Sequence, residues 1–93
     1  MAVSVITKDI VRKSFNIPQT TVSALSYKDI DVSVGLTGYT PAICGWMING
    51  VTTIATVYAG CPDGSTARLR VLNTSSSSQT ISSGNIIIMY TPS

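Results

Sequence analysis

From residue 20 onward the chain is cut into short β-branched segments by turn dipeptides, a pattern that commits it to strands. Residues 28–34 alternate cleanly, with Ile30, Val32 and Val34 on one side and Asp29, Asp31 and Ser33 on the other. This is the signature of a strand with one face in a core and one in water. Residues 41–48 and 84–90 differ, because large apolar groups occupy both parities. In the first, Ile43 and Met47 oppose Trp46 and Ile48; in the second, Ile87 and Met89 oppose Ile86, Ile88 and Tyr90. A chain of 93 residues can hide only one face of most of its sheet, so the surplus apolar face predicts a partner.

Composition points the same way. Ile, Val and Thr make up about a third of the chain, while Glu is absent and Leu is scarce, which disfavours helix. The expected fold is all-β, a small antiparallel β-sandwich of about six to seven strands in a single domain over residues 1–93. Residues 1–16 read as an N-terminal arm or a first strand. Only 11% of residues are charged and the net charge is +2, with no basic stripe to release counterions from a phosphate backbone. Nucleic acid is therefore not an expected partner. No apolar run reaches the length of a membrane span, and Lys8 and Asp9 interrupt the N-terminus before a signal-like apolar stretch forms, so neither membrane insertion nor a signal peptide is expected.

Turn chemistry sets the expected connections. Asn49-Gly50, between apolar segments, reads as a two-residue hairpin turn that pairs Ile48 with Val51. Pro62-Asp63-Gly64 reads as a type I turn leading into residues 66–72, where Ala67, Leu69 and Val71 face inward and Arg68 and Arg70 outward. The first strand falls on residues 2–7 or 10–15, with a helical turn over 9–14 as the competing reading. Residues 75–78 read as a flexible polar tip, and residues 79–81 and 85–90 as one strand bent at Gly84. The Asn49-Gly50 register places Cys44 opposite Ala55 and leaves Cys61 about 20 Å further on, beyond the ~7 Å that a disulfide tolerates. Two free thiols are the expectation.

Chemistry is sparsely encoded. The chain has no His and only two Cys, so neither a nucleophile–base pair nor a metal site is expected, and no cofactor or catalytic residue is assigned. Asp29 and Asp31 share one strand face, as do Arg68 and Arg70, and the two pairs can meet if their strands are neighbours. Carbohydrate recognition needs aromatic faces and planar hydrogen-bonding groups. Trp46, Tyr39, Tyr58, Asp63, Arg68 and Arg70 supply those types and form the candidate ligand-binding set. Ile43, Met47, Ile86, Ile88 and Tyr90 form the candidate oligomer interface. Asn73-Thr74-Ser75 matches a glycosylation acceptor, a tripeptide that arises often in Ser/Thr-rich chains and carries no weight here.

The run Asp29-Ile30-Asp31-Val32-Ser33-Val34, followed by Thr37-Gly38-Tyr39-Thr40-Pro41 and Gly45-Trp46, resembles a recurring β-sandwich domain of bacteriophage and prophage tail, fibre or baseplate appendages. Leu72-Asn73-Thr74 before the Ser-rich tip and the apolar segment 86–90 extend the resemblance over residues 17–93. The domain is also similar, at the level of fold, to the H-type lectin sandwich. The resemblance implies a non-enzymatic virion structural or receptor-binding module, assembled around a threefold axis as a homotrimer. It further implies contacts with other virion proteins and a host-surface glycan, and synthesis in the bacterial cytoplasm. A free-standing lectin-like carbohydrate-binding protein is the alternative. The sequence departs from a complete fibre protein in having no collagen-like or coiled-coil shaft.

Overall fold

The computed structural model describes residues 9–93, which form eight strands and no helix. Among the described residues, therefore, no helix is long and apolar enough to cross a membrane. The strands are β1 (Val11–Ile17), β2 (Thr20–Val22), β3 (Tyr27–Ser33), β4 (Tyr39–Asn49), β5 (Ile54–Asp63), β6 (Thr66–Asn73), β7 (Gln79–Ile81) and β8 (Ser83–Pro92). Every pairing is antiparallel. They form two three-stranded sheets, β1-β8-β4 and β3-β6-β5, and a two-stranded ribbon, β2-β7. The expected all-β sandwich-like architecture is present, with one strand more than expected. Gln79–Ile81 joins β2 while Ser83–Pro92 lies between β1 and β4, so the segment expected as one bent strand divides between two sheets.

Alternation builds the core from both layers. Ile17 of β1 and Ile86, Ile88 and Tyr90 of β8 meet Ile30 of β3, Ala67, Leu69 and Val71 of β6 and Ile54 of β5, while Val22 and Ile81 join from the ribbon. Each large aliphatic side chain in this set contributes about 1.5–3 kcal/mol relative to exposure. Tyr90 is buried to its hydroxyl, which donates to the Val34 carbonyl and so satisfies the one polar atom that the ring brings into the core. Tyr39 packs edge-on against Tyr90, with centroids 6.3 Å apart.

Three local expectations are corrected. Asn49-Gly50 does not form a hairpin: β4 pairs with β8 and β5 with β6, so the chain crosses between sheets here. Gly50 adopts φ 91°, but Asn49 does not enter the left-handed region that a type I′ turn needs at both positions. The Ser82 N–H instead donates to the Asn49 carbonyl at 3.0 Å, and partnership with β8 runs from Tyr39 to Asn49. Without that hairpin, the offset between Cys44 and Cys61 has no basis. Both thiols are nevertheless free, Cys44 exposed and Cys61 half-buried. The β5–β6 hairpin does form, but it turns two residues later, at Gly64-Ser65. Asp63 directs it by accepting from the Ser65 N–H at 2.8 Å and the Ser65 hydroxyl at 3.0 Å.

The serine tip is tied down rather than loose. Asn73 is fully buried and donates through Nδ2 to the carbonyls of Val22 (3.0 Å), Ser23 (3.3 Å) and Ser77 (2.9 Å), while its Oδ1 accepts from the Ser75 N–H. Ser75 and Ser77 add hydrogen bonds to each other, and Gln79 donates to both hydroxyls. One amide thus holds the end of β6, the end of β2 and the loop together. At the N-terminus, the strand reading of residues 10–15 is realised as Val11–Ile17, which displaces the helical turn. The alternative at residues 2–7 lies outside the described residues.

The two-sided apolar pattern has a geometric origin. In β4, Ile43 pairs with Ile88 and Gly45 with Ile87, so Cys44 is the extra residue of a β-bulge. A bulge reverses parity. Pro41 and Ile43 share a face with Tyr90 and Ile88, and beyond the bulge that face passes to Trp46 and Ile48, opposite Ile86 and Gly84. Gly84 is required at this close approach, because a Cβ there would run into the Met47 carbonyl oxygen.

Candidate functional site

The outer face of β3-β6-β5 is where this chain concentrates polar side chains. Because Ile30 of β3 is buried and Val32 half-buried, Asp29 and Asp31 project outward; because Ala67, Leu69 and Val71 are buried from β6, so do Arg68 and Arg70. The β3–β6 register sets Asp29 opposite Arg70 and Asp31 opposite Arg68. The pairing foreseen from alternation is realised.

Each arginine grips its carboxylate side-on through two hydrogen bonds. Arg70 Nε and Nη2 reach Asp29 Oδ1 and Oδ2 at 2.8 and 3.1 Å, and Arg68 Nε and Nη2 reach Asp31 Oδ1 and Oδ2 at 2.8 and 3.0 Å. A diagonal contact of 3.7 Å from Arg68 Nε to Asp29 links the two pairs into a zigzag. The Arg70 hydrogen bond, opposed by partial desolvation and helped by the nearby guanidinium charges, holds Asp29 below the usual carboxylate range, and Arg68 does the same for Asp31. Exposed ion pairs contribute little to folding. What bidentate geometry does supply is orientation: two guanidinium planes and two carboxylates held in one fixed array.

Aromatic rings flank the array. Tyr27, 63% exposed, lies beneath the Arg70 guanidinium, whose carbon is 4.9 Å from the ring centroid. Tyr58, 44% exposed, enters from β5. Simple alternation groups Tyr58 with Ile54 and Thr56, but a second bulge at Val57 shifts parity between Thr56 and Tyr58 and sets Tyr58 opposite Arg70. Gly60 then gives the phenol room, since a Cβ at position 60 would lie 2.7 Å from the Tyr58 hydroxyl. A bulge and a glycine therefore aim one tyrosine onto the charged face. The face is open; no pocket forms among the described residues.

The sequence candidates divide among different surfaces. Tyr58, Arg68 and Arg70 come together here, and Asp63 lies at the far end of the same hairpin, committed to its turn. Trp46 is 45% exposed on β4 of the other sheet, and Tyr39 is half-buried against Tyr90, so neither joins the face. Tyr27 was not among the candidates. Its signal was parity: it precedes Asp29 and Asp31 by two and four residues on the same strand face.

The oligomer candidates also divide. Ile86, Ile88 and Tyr90 are sealed in the subunit's own core, which removes them from any interface, and Ile43 packs against that core. Met47 alone is strongly exposed, at 57%, on the outer face of β1-β8-β4. It shares that face with half-buried Ile87 and Met89, the other parity of β8. Cys61 provides no activated nucleophile: burial, the dominant influence, pushes its thiol up. Among the described residues no group of three or more His, Cys, Asp or Glu side chains is placed to hold a metal ion. No family model, curated protein or solved structure matches this chain.

Proposed function

We propose that the chain is a non-enzymatic structural or receptor-binding module of a bacteriophage or prophage appendage, working as a homo-oligomer. The observation that carries the recognition role is the array of Arg68, Arg70, Asp29 and Asp31 between exposed Tyr27 and Tyr58. Hydroxyl groups of a surface glycan both donate and accept, and this array offers oriented donors and acceptors beside aromatic faces. The appendage assignment and the threefold state rest on the resemblance of residues 17–93 to phage appendage sandwiches. Association is supported by Met47, Ile87 and Met89, an apolar stripe on the sheet opposite the polar face, which leaves that face free to meet a receptor.

Light scattering of the purified chain, combined with binding to immobilised oligosaccharides, tests the proposal. A mass three times the 9.8 kDa subunit together with glycan retention is expected. The array lies within one subunit, and this favours a second reading, a free-standing carbohydrate-binding protein; glycan retention by a monomer would select it.

A further inference from the structure

We infer that the Tyr27–Tyr58 face takes a neutral polyhydroxylated ligand, a sugar without carboxylate, sulfate or phosphate, and discriminates against acidic ones. The inference rests on the receptor-binding reading above and narrows it.

Exposed arginines usually draw anions, and on sequence alone Arg68 and Arg70 invite that assignment. The structure argues against it. Asp31 and Asp29 already occupy the Nε and Nη2 edge of each guanidinium, one of the two edges at which a carboxylate or phosphate makes bidentate contact, and they neutralise its charge. The four groups sum to zero charge, and an incoming anion would stand beside two carboxylates that cannot move away without breaking their own bonds. A neutral sugar meets no such opposition. The bonds to aspartate leave each guanidinium its Nη1 hydrogens, and each carboxylate oxygen accepting one bond has a further lone pair. Donors and acceptors thus alternate along the zigzag, as vicinal hydroxyls do. The arginine side chains are 33% and 43% exposed, enough to reach.

Tyrosines complete the chemistry. A pyranose buries its C–H face on an aromatic ring while its hydroxyls point sideways into polar groups. Tyr27 stands at the Arg70 end of the array, and Tyr58 lies along β5 over Gly60. The bulge at Val57 turns Ala59 and Cys61 toward the core and Tyr58 outward, and the missing Cβ at position 60 leaves space for the phenol on the outer face.

The test is an array of neutral and acidic oligosaccharides, the latter sialylated, uronic, sulfated or phosphorylated, probed with the wild-type chain and with Tyr27→Ala, Gly60→Val and Trp46→Ala. Neutral members should be retained, with affinity nearly unchanged up to about 0.5 M salt, where charge attraction is screened within ~4 Å. Tyr27→Ala and Gly60→Val should each weaken retention by about tenfold or more, the equivalent of ~1.4 kcal/mol. Thermal unfolding of each variant separates a lost contact from a lost fold. Preferential, salt-sensitive capture of acidic members that is still lost in Tyr27→Ala would overturn the neutral-ligand inference and leave the receptor-binding face intact. Retention abolished by Trp46→Ala but untouched by Tyr27→Ala and Gly60→Val would overturn the face itself, and so would retention of no oligosaccharide by the folded wild type.

Discussion

Arg70 holds Asp29 through two hydrogen bonds, 2.8 and 3.1 Å long, although the two residues are 41 positions apart in sequence. The pair joins the edge of a sheet to its middle strand and has a tyrosine ring beneath its cationic half. It fixes side-chain direction on an open surface, where ion pairs contribute little to stability but much to arrangement.

Acid should release this array. The Arg70 hydrogen bond holds the Asp29 carboxyl below its unfolded value of about 3.9, as Arg68 does for Asp31. A depressed folded pKa means that the stabilisation is complete above the unfolded value and disappears as pH falls through the folded one. Urea midpoints should therefore be insensitive to these residues between about pH 5 and 8 and fall below about pH 4. Asp29→Asn should flatten the acid limb. An unaltered acid limb in that variant would show that other carboxylates govern it.

Gly84→Ala should be among the most disruptive small substitutions in the chain. The added methyl would meet the Met47 carbonyl oxygen, which is β4 backbone and cannot rotate aside, so β4 must shift from β8 along their pairing. Overpacking of this kind is destabilising by about 1–3 kcal/mol. Gly64→Ala, where no atom lies within 4 Å, is the control and should cost far less. Equal losses in chemical denaturation would refute the close-approach explanation.

Asn73→Ala should loosen one end of the molecule. Truncation takes a donor from the carbonyls of Val22, Ser23 and Ser77 and the acceptor from the Ser75 N–H; Ser23 and Ser77 keep the hydroxyls of Ser26 and Ser75, and each buried polar group left unsatisfied is destabilising by about 1–3 kcal/mol. Limited proteolysis should then cut within residues 75–78, where the wild type resists. The same burial closes Asn73 to glycosylation in the folded chain, despite the matching tripeptide.

The two thiols should separate kinetically. Cys44 is exposed in its bulge, whereas Cys61 is half-buried and its thiol is pushed up chiefly by desolvation. A disulfide reagent near neutral pH should modify one cysteine promptly and the second slowly, with peptide mapping identifying Cys44 as the first. Equal rates would contradict the burial of Cys61.

Much of the fold was legible because alternation is local. The facing of Ile30, Asp29 and Asp31 on β3, and of Leu69, Arg68 and Arg70 on β6, followed from period two alone, and with it the chance of the Asp–Arg array. What remained hidden was of two kinds. Bulges at Cys44 and Val57 reverse parity without a marker in the sequence, so β4 looked apolar on both faces and Tyr58 was grouped with the wrong side. Partner choice is also non-local: Asn49-Gly50 carries the chemistry of a hairpin, yet β8, arriving more than thirty residues later, takes β4 for itself. Tyr27 shares the parity of Asp29 and Asp31 but stands just before the clean alternation of residues 28–34, next to the turn that precedes β3.

The most direct measurement is a two-dimensional NMR titration that follows backbone amides and arginine Nε–Hε groups as a neutral oligosaccharide retained on the array is added. Shifts concentrated at Tyr27, Tyr58, Gly60 and the Nε–Hε signals of Arg68 and Arg70, with Met47 and Met89 undisturbed, are the predicted result. Shifts centred on Trp46 and β4, with both arginine signals unmoved, would contradict the assignment of recognition to the β3-β6-β5 face.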